Sequence, residues 1–128
     1  MRFACRTFEL FISSNTDAIY FSVEPEVTID GDQDKYMAKG SNIRLICRYE
    51  ASPPVSEVQW IKEGTVIAEN TSMRINDSRV TIPSFNESQI QLSITAASLK
   101  DKGNYTCRVT NILNSIQDTT MIIIEGKQ

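Results

Sequence analysis

The chain has 128 residues, 41% hydrophobic and 23% charged, with 13 basic against 16 acidic side chains, a net charge of −3, three cysteines and no histidine. That length suits one domain burying about two-thirds of the surface its unfolded form would expose, and the ordinary apolar and charged fractions argue against global disorder. The acidic balance offers no basic excess to grip a nucleic acid, and without histidine there is no Ser-His-Asp or Cys-His chemistry and no His-containing zinc site.

The opening Met1-Arg2-Phe3-Ala4-Cys5-Arg6-Thr7-Phe8-Glu9-Leu10-Phe11-Ile12 starts basic, but Arg6 and Glu9 interrupt any apolar region of signal-peptide length and no small-residue cleavage site follows clearly. Residues 1–19 are therefore left unassigned, as a poor signal peptide, a precursor fragment or a mispredicted exon. Cys5, the odd cysteine, falls in this segment. It is read as lying in a piece later removed or artefactual, with a bridge to another chain or to a missing part of the precursor as the other choices.

From about Tyr20 the texture changes to short alternating runs rich in Val, Ile, Thr and Tyr, which is a β pattern. The acidic pair Asp30 and Asp32 sits in a polar turn around Gly31 with no recognisable calcium-loop motif, so no metal, cofactor or acid–base chemistry is expected there. Arg44-Leu45-Ile46-Cys47-Arg48-Tyr49 puts Leu45, Cys47 and Tyr49 on one face, and Glu57-Val58-Gln59-Trp60-Ile61-Lys62 does the same with Val58 and Trp60. Gln89-Ile90-Gln91-Leu92-Ser93-Ile94 alternates strictly, with Leu92 as a core candidate beside Leu45. Only Ala96 to Lys102 suits a helical turn. Tyr105-Thr106-Cys107-Arg108-Val109-Thr110 then alternates again.

Breakers such as Lys39-Gly40-Ser41, Ser52-Pro53-Pro54, Glu63-Gly64 and Lys102-Gly103-Asn104 separate these runs. Strands recurring with turns between them predict an antiparallel all-β sandwich or barrel. There is no internal repeat and no linker composition. The longest apolar stretches, the clearest being Met121-Ile122-Ile123-Ile124, are far short of the roughly 20 residues that span a bilayer, so no membrane-spanning segment is expected.

Three features fall in a fixed order: Cys47, then Trp60, then Asp101-x-Gly103-x-Tyr105-x-Cys107. In this pattern the chain resembles the immunoglobulin superfamily over roughly Tyr20 to Gly126. The resemblance implies a Greek-key sandwich of two sheets in residues 20–126, with 127–128 as a tail. It implies that Cys47 and Cys107, each inward on its strand, meet across the sheets as a disulfide; two buried reduced thiols, as in cytosolic domains of this fold, are the alternative. Trp60 is expected to pack on that disulfide, and Tyr105 to form a tyrosine corner.

The resemblance further pairs Asp101 with Arg79, with Arg74 or a solvated Arg79 as competing choices. The segment Asn111-Ile112-Leu113-Asn114 looks like the turn between the last two strands of the intermediate and constant-2 sets, whose members commonly have glycine where Asn114 stands. Asparagine tolerates a left-handed conformation, so the turn can survive the change. A variable domain fits less well, because the region from Glu63 to Arg79 is short and the last strand lacks a Gly-x-Gly joining motif.

Acceptor triplets for N-linked sugar occur at Asn70, Asn76, Asn86 and Asn104, against about 1.5 expected from composition. The first three lie in or next to predicted turns, and Asn104 points away from the core. Together with the cysteine pair they favour an extracellular, glycosylated module.

The functional expectation is therefore a protein-binding domain for adhesion or recognition, part of a larger multidomain protein and not an enzyme. Its candidate partner face carries Gln59, Ile61 and Arg108, with Ile61 read either as an anchor or as packing under the next strand. The alternative is a spacer domain of an intracellular filament.

Overall fold

A computed structural model describes residues 8–12, 19–30 and 35–125, with side chains from residue 26 onward. Its strands in chain order are β1 (Phe8–Ile12), β2 (Ile19–Ile29), β3 (Lys35–Ala38), β4 (Ile43–Ser52), β5 (Glu57–Lys62), β6 (Thr65–Glu69), β7 (Ser72–Met73), β8 (Val80–Phe85), β9 (Gln89–Ile94), β10 (Gly103–Thr110) and β11 (Ser115–Glu125). One 3₁₀ turn, Leu99–Asp101, occupies the stretch where the sequence allows a helical turn.

The period-2 pattern becomes alternate burial because successive side chains of a strand point to opposite faces. In β4, Ile43, Leu45, Cys47 and Tyr49 go inward while Arg44, Arg48 and Glu50 stay exposed. β5 buries Val58 and Trp60, β9 buries Ile90, Leu92 and Ile94, and β10 buries Tyr105, Cys107 and Val109.

These strands form two sheets, ordered β1-β2-β4-β9-β8 and β3-β11-β10-β5-β6-β7. The pairings are antiparallel except for β3, which runs parallel to β11. The architecture is the immunoglobulin-like two-sheet sandwich that the sequence predicts. The chain changes sheets early, since β2 lies in one and β3 in the other. At that crossing the Ile29 N–H donates to Asp118 Oδ2 of β11 at 2.8 Å, tying the sheets together.

Inside, Leu45 and Leu92 face one another in register, and both are almost fully buried. Cys47 and Cys107 are joined across the sheets with Cα atoms 6.4 Å apart. Trp60 is the cross-strand partner of Cys107, which sets the indole beside the disulfide.

Within the segment that the sequence leaves unassigned, Phe8–Ile12 pair with Ile19–Val23 as β1 against β2. Cys5, Asp32 and residues 126–128 lie outside the described residues.

Candidate protein-binding face

A polar brace is centred on Asp101. Arg79 donates two hydrogen bonds to its carboxylate, from Nη1 to Oδ2 at 2.9 Å and from Nη2 to Oδ1 at 3.0 Å. The Ser98 N–H adds a third at 2.8 Å, and the Asp101 carbonyl accepts the buried Tyr105 hydroxyl. Tyr105, fixed two residues before Cys107, therefore closes its corner on the same residue that holds Arg79. Arg79 also donates to Asp77 Oδ2 at 3.0 Å and to the carbonyls of Thr95 and Ala96. Arg74 is engaged elsewhere, with Glu69.

Burial alone would raise the Asp101 carboxyl, but the hydrogen bonds from Arg79 and Ser98 and the charges of Arg79 and Lys62 outweigh it and hold the group below the usual aspartate value. Burial pushes the Tyr49 hydroxyl up to about 12, while that hydroxyl donates to the Asn86 carbonyl at 2.6 Å.

The turn between β10 and β11 differs from expectation. Positive φ among non-glycine residues occurs at Glu63, Asn70 and Ala96 in the described residues, and Asn114 is not one of them. Asn111 does the work instead. Its Oδ1 accepts the Leu113 and Asn114 N–H groups at 2.9 and 2.8 Å, and its Nδ2 donates to the Pro53 carbonyl at 2.9 Å. A side-chain acceptor that closes the turn removes the need for a left-handed residue. Ile112 and Leu113 stand exposed at the tip.

The outer face of the six-stranded sheet is built in rows by register. Gln59 of β5 lies opposite Arg108 of β10, which lies opposite Gln117 of β11. The next row is Ile61, Thr106 and Thr119, with the two threonine hydroxyls 2.8 Å apart. Beyond it Asn104 is paired with Met121.

Gln59, Ile61 and Arg108 are thus brought together. Arg108 is exposed, its Nε donating to Ser115 Oγ at 3.0 Å, while Ile61 is half-buried and paired with Val66 of β6, so the next strand partly covers it. Sequence reading missed Gln117 and Met121. The signal lies in the alternation of β11, where Ile122 and Ile124 go inward and Gln117, Thr119 and Met121 outward, beneath the more conspicuous apolar run.

The four acceptor asparagines are distributed unevenly. Asn70 has φ 53° and lends Oδ1 to the Val58 N–H at 3.0 Å. Asn86 caps its turn, its Oδ1 accepting from the Ser88 and Gln89 N–H groups at 2.8 and 2.9 Å. Asn76 and Asn104 are exposed.

Among the described residues, no cluster of three or more His, Cys, Asp or Glu side chains is placed to hold a metal ion, and no helix is long and apolar enough to cross a membrane. Asp30 is occupied with Arg48, which donates to its carboxylate at 2.8 and 3.1 Å.

The family model described as Immunoglobulin domain matches residues 24–111. Basigin of Cricetulus griseus is 30% identical over 101 residues, which is 76% of this chain and 39% of basigin. Palladin of Mus musculus is 28% identical over 92 residues, 72% of this chain and 6% of palladin. A crystal structure of a titin complex with an obscurin-like 1 immunoglobulin domain superposes with a TM-score of 0.66 at 22% identity, covering 84% of this chain and 98% of that one. The chain spans well under half the length of these curated relatives.

Proposed function

The chain belongs to the immunoglobulin domain family, and from that premise we propose that it is an extracellular recognition module that binds another protein through the outer face of its six-stranded sheet. Its relatives include both cell-adhesion proteins and intracellular muscle proteins. The observation that carries the extracellular side is the Cys47–Cys107 disulfide, because such bonds persist in oxidising compartments and are rare in the cytosol. Four acceptor triplets point the same way.

The binding face is argued from Arg108, an exposed cation between two neutral glutamines; arginine is enriched where proteins meet. The domain is taken as residues 20–126, with Phe8–Ile12 added to the edge of its five-stranded sheet as β1. Family members of this kind are typically binding modules without catalysis, and the role argued for this one is to present a surface.

The second reading is a spacer domain in an intracellular filament, favoured by the likeness to palladin and titin. It requires reduced cysteines and bare asparagines.

A fluorescent tetramer of the full chain, applied to intact cells of its source tissue, tests the binding face. Staining is expected, and Arg108→Glu should remove it at an unchanged melting temperature. Staining that survives Arg108→Glu overturns the assignment of the face. Ile61→Asp separates the two views of that residue: lost staining with a retained fold marks an anchor, and lost stability with retained binding marks packing.

A further inference from the structure

We infer that Asn104 carries an N-linked glycan that roofs the Met121 and Ile61 half of the sheet's outer face and confines partner contact to the row of Gln59, Arg108 and Gln117. The inference rests on the extracellular reading above and sharpens its binding face.

Asn104-Tyr105-Thr106 is unlike the other three acceptor triplets. It alone ends in threonine, and it alone lies wholly inside a strand. Strand alternation sends Tyr105 into the core and leaves Asn104 exposed on the outer face. Asn70 and Asn86 lend their side-chain oxygens to the fold, whereas among the described residues nothing hydrogen-bonds the Asn104 side chain.

The backbone of Asn104 is pinned to Glu63 through both its N–H and its carbonyl. Its N–H donates to Glu63 Oε2 at 2.7 Å, and its carbonyl accepts the Glu63 N–H at 3.0 Å. A sugar on this residue therefore grows from a fixed root rather than from a swinging loop.

Transfer of the glycan needs a lipid-linked diphosphate oligosaccharide and the secretory pathway's transferase. The anomeric carbon's bond to the diphosphate oxygen breaks and its bond to Asn104 Nδ2 forms. The diphosphate leaves with the electron pair, the displaced amide proton goes to a base of the transferase, and nothing is oxidised or reduced.

Register sets which residues lie nearest the root of the sugar. Met121 is the direct cross-strand partner of Asn104, which sets their Cβ atoms about 5 Å apart. Ile61 is the diagonal neighbour on β5, at about 7–8 Å. Arg108 lies four residues along the same strand, about 13 Å away, at the far end of the face.

Met121 and Arg108 are thus built-in reporters of the covered and open halves. The full chain, secreted from a eukaryotic host behind a cleavable leader, is compared with Asn104→Gln and with Thr106→Val. Sugar occupancy is mapped by peptide mass spectrometry after glycosidase treatment in heavy-oxygen water. Met121 oxidation by hydrogen peroxide and Arg108 modification by phenylglyoxal are timed on the folded protein.

The inference expects an occupied Asn104, Met121 oxidising several-fold more slowly in the parent than in either variant, and equal Arg108 rates throughout. Bare Asn104 beside an occupied Asn76 or Asn86 overturns the inference and leaves the extracellular reading standing. An occupied Asn104 with equal Met121 rates overturns the shielding. Free thiols at Cys47 and Cys107 in chain taken from its native source overturn the extracellular reading itself.

Discussion

Asp101 does more than its place in the sequence suggests. Its carboxylate holds Arg79 and the Ser98 N–H while its carbonyl takes the Tyr105 hydroxyl. Replacing it by alanine leaves a guanidinium that is only about a quarter exposed without its main partner, and we expect a loss of about 2–3 kcal/mol, read as a lower melting temperature. Asp101→Asn keeps the shape and removes the charge, which makes it the pH test. Because the folded carboxyl titrates below its unfolded value, its stabilisation is fully present above the ordinary aspartate pKa of about 4 and is lost as pH falls through the folded value. Parent stability should therefore drop more steeply than that of Asp101→Asn below about pH 4.

The spacing to Tyr105 and Cys107 made Asp101 visible in the sequence, and the resemblance nominated Arg79 with Arg74 as rival. The part taken by Asp77, whose Oδ1 accepts the Arg79 N–H while Oδ2 accepts Nη2, was not visible, because a two-residue separation carries no strand or helix signal. Nor did the sequence reveal that Trp60 Nε1 is buried with no hydrogen-bond partner in the described residues.

Among the elements, strands proved more legible than turns. Alternation placed β4, β5, β9 and β10 because a half-buried strand must alternate. Turns depend on individual side-chain acceptors, and there Asn114 misled. Asn111→Ala should cost about 1–3 kcal/mol, since it strands two turn N–H groups and the Pro53 carbonyl; amide exchange at Leu113 and Asn114 should quicken. Asn114→Gly should gain nothing from left-handed freedom and stay within about 0.5 kcal/mol. A clear stabilisation by that glycine would mean that the turn is left-handed after all.

Gly103 tests the opposite case. Its φ of 136° is a conformation that L side chains rarely adopt, and a Cβ there would stand 2.7 Å from Glu63 Oε2, so alanine strains the backbone and pushes the Glu63 carboxylate aside. Gly103→Ala should cost about 1–3 kcal/mol and loosen the clasp between Glu63 and Asn104.

At the scale of the whole molecule, one covalent bond bears both on stability and on the proposed extracellular role. Closing the 60-residue separation between Cys47 and Cys107 is worth about 4 kcal/mol in the chain-entropy account, a large share of a small domain's net stability. The Cys47→Ala, Cys107→Ala double variant should therefore unfold at much lower denaturant concentration.

Two cysteines on inward strand positions, a tryptophan between them and the Tyr105 motif made the sandwich legible. The proposed binding face was only half legible. Gln59 and Arg108 were placed by their own strands, but Gln117 and Met121 join them only through the pairing of β10 with β11, which no local pattern encodes.

The extracellular account turns on the chemical state of that cysteine pair. Chain purified from its native source without reductant should be denatured in excess alkylating reagent, then digested and mapped. The account predicts Cys47 and Cys107 unalkylated and recovered in one disulfide-linked peptide pair. Full alkylation of both would contradict it and favour the filament domain.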